Sequence, residues 1–152
     1  HPEVAVVTLR TAALLSPGVP SYAAALLRLP LCPVLLGRDP LIQVLHLEDA
    51  VEGFAQAIHG TTSGAYNLAS RGVLPYGTAL ALLGRLPLPL PAGLARRAVS
   101  VLHRLGMIPT PPEFLTLLRD LCVVDTTRAE RELGYRPRHD IQGTLRAFAA
   151  AL

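Results

Sequence analysis

The chain has 152 residues, enough for one domain with its own core, and 51% of them are hydrophobic against 16% charged. A formal net charge of +3, carried by scattered arginines without interleaved aromatics, argues against a nucleic-acid interface. Mean hydropathy is +0.40, yet Pro, Gly or Arg interrupts every long apolar run before the roughly 18 to 20 residues a membrane span needs.

The N-terminus shows no signal-peptide pattern. Cys32 and Cys122 are far apart and lack Cys-x-x-Cys spacing, which reads as reduced thiols in a cytoplasmic protein. Val4 to Leu9 is a continuous, β-branched apolar run, as expected for a strand of a parallel sheet covered on both faces. Ser16-Pro17-Gly18-Val19-Pro20 is a turn, and Ser21 caps a helix over Tyr22 to Arg28 that Pro30 and Pro33 end. Val34 to Leu36 and Ile42 to His46 read as short strands around the turn Gly37-Arg38-Asp39-Pro40. Between Glu48 and His59, Val51, Phe54, Ala55 and Ile58 recur at helical spacing opposite Glu48, Glu52 and Gln56, so an amphipathic helix runs to Gly60.

Ala65 to Ala69 is strand-like, and Pro75 to Leu83 forms a short helix closed by Gly84. Leu86 to Pro91 alternates Leu and Pro, which predicts an extended connector rather than a strand. Pro91 opens a helix over Ala92 to Leu105, and a further helix covers Glu113 to Leu118. Thr127 with Glu130 predicts a capping box, with Gly134 as C-cap and Pro137 as stop. Asp140 caps a last helix whose Ile141, Leu145, Phe148 and Leu152 share one face.

Two stretches carry a family resemblance. Leu45-His46-Leu47-Glu48-Asp49-Ala50-Val51-Glu52-Gly53-Phe54-Ala55-Gln56-Ala57-Ile58 and Asp125-Thr126-Thr127-Arg128-Ala129-Glu130-Arg131-Glu132-Leu133-Gly134-Tyr135-Arg136-Pro137 resemble signposts of the extended short-chain dehydrogenases/reductases, the NAD-dependent epimerases and dehydratases. Ala65-Tyr66-Asn67-Leu68-Ala69 is similar to a late strand of the same family, with Tyr66 and Tyr135 at its packing positions. The resemblance implies an α/β fold: the last strands of a Rossmann-type parallel sheet with a mostly helical substrate-binding subdomain. It makes residues 1–152 a single C-terminal segment, with the N-terminal cofactor-binding half absent and residues 86–112 as a variable substrate lid.

Two of the family's functional elements are missing from this stretch. All 14 basic side chains are Arg, so no Tyr-x-x-x-Lys pair exists, and Tyr22, Tyr66, Tyr76 and Tyr135 have no Lys four positions on. No Gly-x-Gly-x-x-Gly follows a strand to cradle a dinucleotide pyrophosphate. The expectation is therefore no catalytic residue in this chain. The whole protein would use NAD or NADP for hydride transfer on a substrate alcohol or ketone, whereas this fragment alone would bind no nucleotide and be inactive. The competing reading is a non-catalytic relative or split subunit that holds an apolar ligand or a protein partner.

Leu9 to Pro17 resembles the family stretch beside the nicotinamide, which implies cofactor contacts at Thr11 and Ala12 and substrate contacts at Ala13 and Tyr22; the usual Pro and Asn are replaced by Thr11 and Ala13. Gln43 is the remaining expected substrate contact, its ordinary alternative being a solvent-side strand residue. Where the family often places an Arg against a substrate diphosphate, this chain has Ile42, which cannot make charge-assisted bonds to phosphate. That substitution points to an apolar small-molecule substrate. The expected partner is the missing N-terminal half or a second chain.

His46 and Asp49 form a His-x-x-Asp pair read as structural: Asp49 favours the helix dipole and His46 bonds locally. With His59, His103 and His139 isolated in sequence, no metal site is expected. No Gly-x-Ser-x-Gly elbow suggests a serine hydrolase. Arg96, Arg97 and Arg104 form the one candidate for membrane-surface contact, though a basic helix face is usually just solvated.

Overall fold

Strand β1 (Val7–Thr11) pairs in parallel with β6 (Gly64–Leu68), in the register Val7 to Gly64 through Thr11 to Leu68. A computed structural model describes residues 5–60, 62–119 and 123–152; Val4 and Cys122 lie outside the described residues. The single sheet expected from the sequence is divided into short pairs: β2 (Ala13–Leu14) runs parallel to β5 (Val44–Leu45), β3 (Leu31–Leu35) parallel to β8 (Leu86–Leu90), and β4 (Leu41–Ile42) antiparallel to β7 (Leu74–Pro75). The strand expected over 42–46 breaks at Gln43 because its two ends serve different partners, Ile42 pairing with Leu74 and Val44 with Ala13.

The segment 86–90 corrects the expectation of an unpaired connector. The Leu86 N–H donates to the Pro30 carbonyl at 3.1 Å and the Leu36 N–H to the Leu90 carbonyl at 3.1 Å. Strand alternation then turns Pro87 and Pro89 away from β3, and Pro33 away from β8, so no ladder bond is asked of a nitrogen that has no hydrogen. The same register moves the start of β3 back from Val34 to Leu31.

The helices follow local signals more closely. Helix α1 (Tyr22–Leu27) is capped by Ser21, whose Oγ accepts from the Ala24 N–H at 3.1 Å. Helix α2 covers Leu47–His59, α3 Tyr76–Leu82, α4 Ala92–Arg104 and α5 Phe114–Arg119. Helix α6 (Thr127–Glu132) is capped differently from the expected box: the Asp125 carboxylate accepts the Thr127 N–H at 2.9 Å, and Thr126 Oγ1 donates to Glu130 Oε1 at 2.6 Å. The Thr127 hydroxyl is turned back to donate to the Asp125 carboxylate two residues earlier. Helix α7 (Ile141–Ala149) has the expected Asp140 cap at 2.7 Å from the Gly143 N–H; Ile141, Leu145 and Phe148 are buried, whereas Leu152 lies past the helix end and is exposed.

Two cores result. The larger gathers Leu15, Leu26, Cys32, Tyr76, Leu80, Val99, Leu145 and Phe148; the smaller gathers Leu45, Ala50, Tyr66, Leu68, Ala129 and Tyr135. Tyr66 and Tyr135 are fully buried, and their hydroxyls donate to Glu132 Oε2 at 2.8 Å and to the Ala69 carbonyl at 3.1 Å. Helix α2 is amphipathic as expected, but the side it buries is not its large apolar face. It buries Asp49, Ala50 and Gly53, and leaves Val51, Phe54 and Ile58 at 61%, 50% and 78% exposure. The reason is the close crossing at Gly53, where a Cβ would come within 2.6 Å of Leu68 Cδ1. Phe54, Ala57 and Ile58 instead border a surface groove of about 370 Å³ with Ala5, Val7 and Leu9 of the β1 segment. No described helix is long and apolar enough to cross a membrane.

Candidate functional site

Two of the three residues expected to meet substrate border one apolar cavity. Ala13 of β2 and Gln43, at the break between β4 and β5, line it together with Ala23, Leu26, Ile42, Tyr76 and Phe114. Tyr22 is one contact further out, its ring edge-on to Phe114 at 6.0 Å between centroids. The space measures about 50 Å³, room for the apolar end of a ligand rather than a whole one. Among the described residues no charged side chain lines it, and Ile42, at the position where the resembling family often has Arg, is buried in its wall.

Gln43 is more than a solvent-side strand residue. Its Oε1 accepts the Val124 N–H at 2.9 Å, which holds the segment before α6 against the cavity wall. Two residues passed over in the sequence complete the lining. Phe114 opens α5, and Tyr76 opens α3 with a buried hydroxyl that has no hydrogen-bond partner among the described residues; burial pushes its pKa well above the usual phenol range. Nothing local marks either one, because their proximity comes from three separate elements meeting.

Thr11 and Ala12 sit at the C-terminal end of β1. The Ala12 N–H is already taken, donating to the Leu68 carbonyl at 2.8 Å, and the Gly64 N–H donates to the Val6 carbonyl at 2.9 Å. Alternation therefore directs the peptide groups of Val7, Leu9 and Thr11 away from β6, onto an edge where no described strand pairs. Of the two, only Thr11 keeps an N–H clear of the β6 ladder for a bound group.

The His46–Asp49 pair has the structural role expected, and a third residue joins it. His46 Nδ1 accepts the Glu48 N–H at 3.3 Å as the N-cap of α2. Asp49, only 1% exposed, accepts the Arg138 N–H at 2.8 Å and the His139 N–H at 3.1 Å, and its Oδ2 lies 3.3 Å from His139 Nδ1. His139 is thus not isolated: its ring stacks on His46 at 3.8 Å between centroids and 26° between planes. Burial, reinforced by the neighbouring His139, holds His46 below the usual histidine range against the opposing pull of Glu48 and Asp49. On α4, Arg96, Arg97 and Arg104 are exposed, and Arg96 reaches Glu113 only at 4.0 Å, a solvated face.

No family model matches the chain. An uncharacterized protein of Mycobacterium tuberculosis (strain ATCC 25618 / H37Rv) is 33% identical over 139 residues, covering 91% of this chain and 37% of its own length. A second from the same strain is 28% identical over 148 residues, covering 96% of this chain and 16% of its own length. The chain therefore spans little more than a third of the first of these relatives and less of the second. Among solved structures, RMD from Pseudomonas aeruginosa complexed with NADPH superposes with a TM-score of 0.62 at 16% identity, over 96% of this chain and 47% of its own. UDP-glucuronic acid 4-epimerase from Bacillus cereus in complex with NAD gives 0.63 at 13% identity, over 97% and 44%. dTDP-glucose 4,6-dehydratase from Bacillus anthracis str. Ames in complex with NAD gives 0.63 at 13%, over 96% and 44%. At these identities the likeness is one of fold: almost the whole chain folds like a little under half of each of these proteins.

Proposed function

We propose that the chain is the substrate-side portion of an NAD- or NADP-dependent epimerase, dehydratase or reductase, whose cofactor-binding half and proton-transferring Tyr and Lys lie outside this sequence. The observation that carries this reading is the β1 edge, which no described strand pairs, lying beside the uncovered Phe54 and Ile58 of α2, in a chain whose fold matches less than half of NAD- or NADPH-complexed proteins. An unpaired edge bordered by apolar side chains is a surface that another strand-bearing segment covers. In that assembly Thr11 offers its N–H, with the neighbouring Ala12, at the nicotinamide end of the cofactor. This chain alone does not hold the nucleotide.

The substrate is an apolar alcohol or ketone. Its apolar end enters the cavity beside Ala13 and Ile42, with Tyr22 and Phe114 at the rim and the Gln43 and Tyr76 side chains as the polar groups. Residues 86–112, which span β8 and α4, act as the lid. When bound, the nicotinamide supplies hydride exchange with the carbinol carbon; the residues here bind and orient. Assaying the longer protein with a panel of secondary alcohols tests this through the appearance of reduced nicotinamide. Apolar alcohols should turn over, and Ala13→Phe should raise KM; turnover confined to nucleotide sugars, with Ala13→Phe silent, would overturn the substrate assignment.

A further inference from the structure

We propose that His46, His139 and Glu48 form a binding site for one divalent transition-metal ion, with zinc the best match to two imidazoles and a carboxylate. One ligating atom from each residue lies within 4.8 Å of the others. The three come from two places in the fold, the start of α2 and the segment leading into α7, so the ion would tie these together. Two imidazoles and one carboxylate leave a fourth position for water, the donor set of an open zinc site.

The orientation of His139 is what separates this cluster from a chance meeting of side chains. Buried Asp49 is held in place by two backbone N–H groups, and its remaining contact is with His139 Nδ1 at 3.3 Å. A carboxylate there keeps the ring proton on Nδ1 and leaves the Nε2 lone pair free, the outer-shell arrangement that orients histidine ligands at metal sites. That Nε2 lies 3.8 Å from Glu48 Oε2, too long for a hydrogen bond but close to the ~3.4 Å separating two ligands of a tetrahedral ion with bonds of about 2.0 to 2.1 Å. Glu48 is 70% exposed, so its carboxylate closes the gap at little cost. The His46 Nδ1 now accepts the Glu48 N–H at 3.3 Å, and its ring stacks on His139. Coordination requires the stack to open and gives up that long cap, so metal and cap compete for the same imidazole.

Zinc titration of the metal-free full chain by calorimetry tests the site, with cobalt as a spectroscopic probe. Expected are one ion per chain, at least tenfold weaker binding in His139→Ala, Glu48→Gln and His46→Asn, and a cobalt d–d spectrum without a sulfur charge-transfer band. His46→Asn preserves a good helix N-cap, and the Glu48 side chain is exposed, so neither variant loses binding through unfolding; circular dichroism checks this. Absence of zinc uptake, affinity within twofold in Glu48→Gln and His46→Asn, or a sulfur band that disappears with Cys32→Ser or Cys122→Ser would overturn it.

Discussion

Replacing Asp49 by alanine should be among the most destabilising single changes in this chain. The side chain is 1% exposed and its carboxylate serves the Arg138 N–H at 2.8 Å, the His139 N–H at 3.1 Å and His139 Nδ1 at 3.3 Å. Hydrogen bonds to a charged group contribute about 1.5 to 3 kcal/mol each, but here they share one carboxylate and the abandoned donors are only partly buried. Partial rehydration brings the expected loss to about 3 to 5 kcal/mol, a large fraction of the roughly 5 to 15 kcal/mol that holds a domain folded. For a chain of this size that corresponds to a Tm lower by roughly 6 to 20 °C. Asp49→Asn keeps the shape and one acceptor oxygen, so it should fall between wild type and alanine. Urea unfolding followed by circular dichroism reads both. A loss below about 1 kcal/mol for Asp49→Ala would refute the view that this carboxylate anchors the segment before α7 to α2.

Other consequences follow from burial and close packing. Gly53→Ala gains helix propensity of about 0.5 to 1 kcal/mol but drives a methyl to within 2.6 Å of Leu68 Cδ1, so a net loss of about 0.5 to 2 kcal/mol is expected; a more stable variant would contradict the tight crossing. Cys32 is fully buried, and burial pushes its thiol up to about 11, outweighing the lowering by Arg85. In a Cys122→Ser background its alkylation at pH 8 should therefore be at least roughly a hundredfold slower folded than in urea; equal rates would contradict its burial. The folded-state pKa of His46 lies below its unfolded value of 6.5, so the unfolded chain binds that proton more readily. Stability should decline as pH falls below about 6.5, a window above the carboxylate range, and His46→Asn should flatten the decline. An identical pH slope in the variant would contradict the assignment.

What was legible in the sequence was mostly local. Ser21 and Asp140 cap their helices within three residues, and Gly60 ends α2 where expected. The pairing of β8 was hidden because proline content alone says nothing of which side each nitrogen faces, and that depends on a partner strand more than fifty residues earlier. The helical period of α2 was plain, yet the side it buries was not, since the glycine that lets it approach β6 and the aspartate that anchors it lie away from Val51 and Ile58. In the site, Ala13 and Gln43 were reached through the resemblance, whereas Tyr76, Phe114 and the His46–His139 stack depend on chain crossings that no spacing rule records.

In the proposed assembly a cofactor-binding segment covers the β1 edge and the α2 face. Calorimetric titration with NAD and NADP, of this chain alone and of the protein that includes the preceding part of its reading frame, tests it most directly. Nucleotide binding by the longer protein only, lost when Val51 and Ile58 are both changed to Glu, is the predicted result; no binding by either length would contradict it.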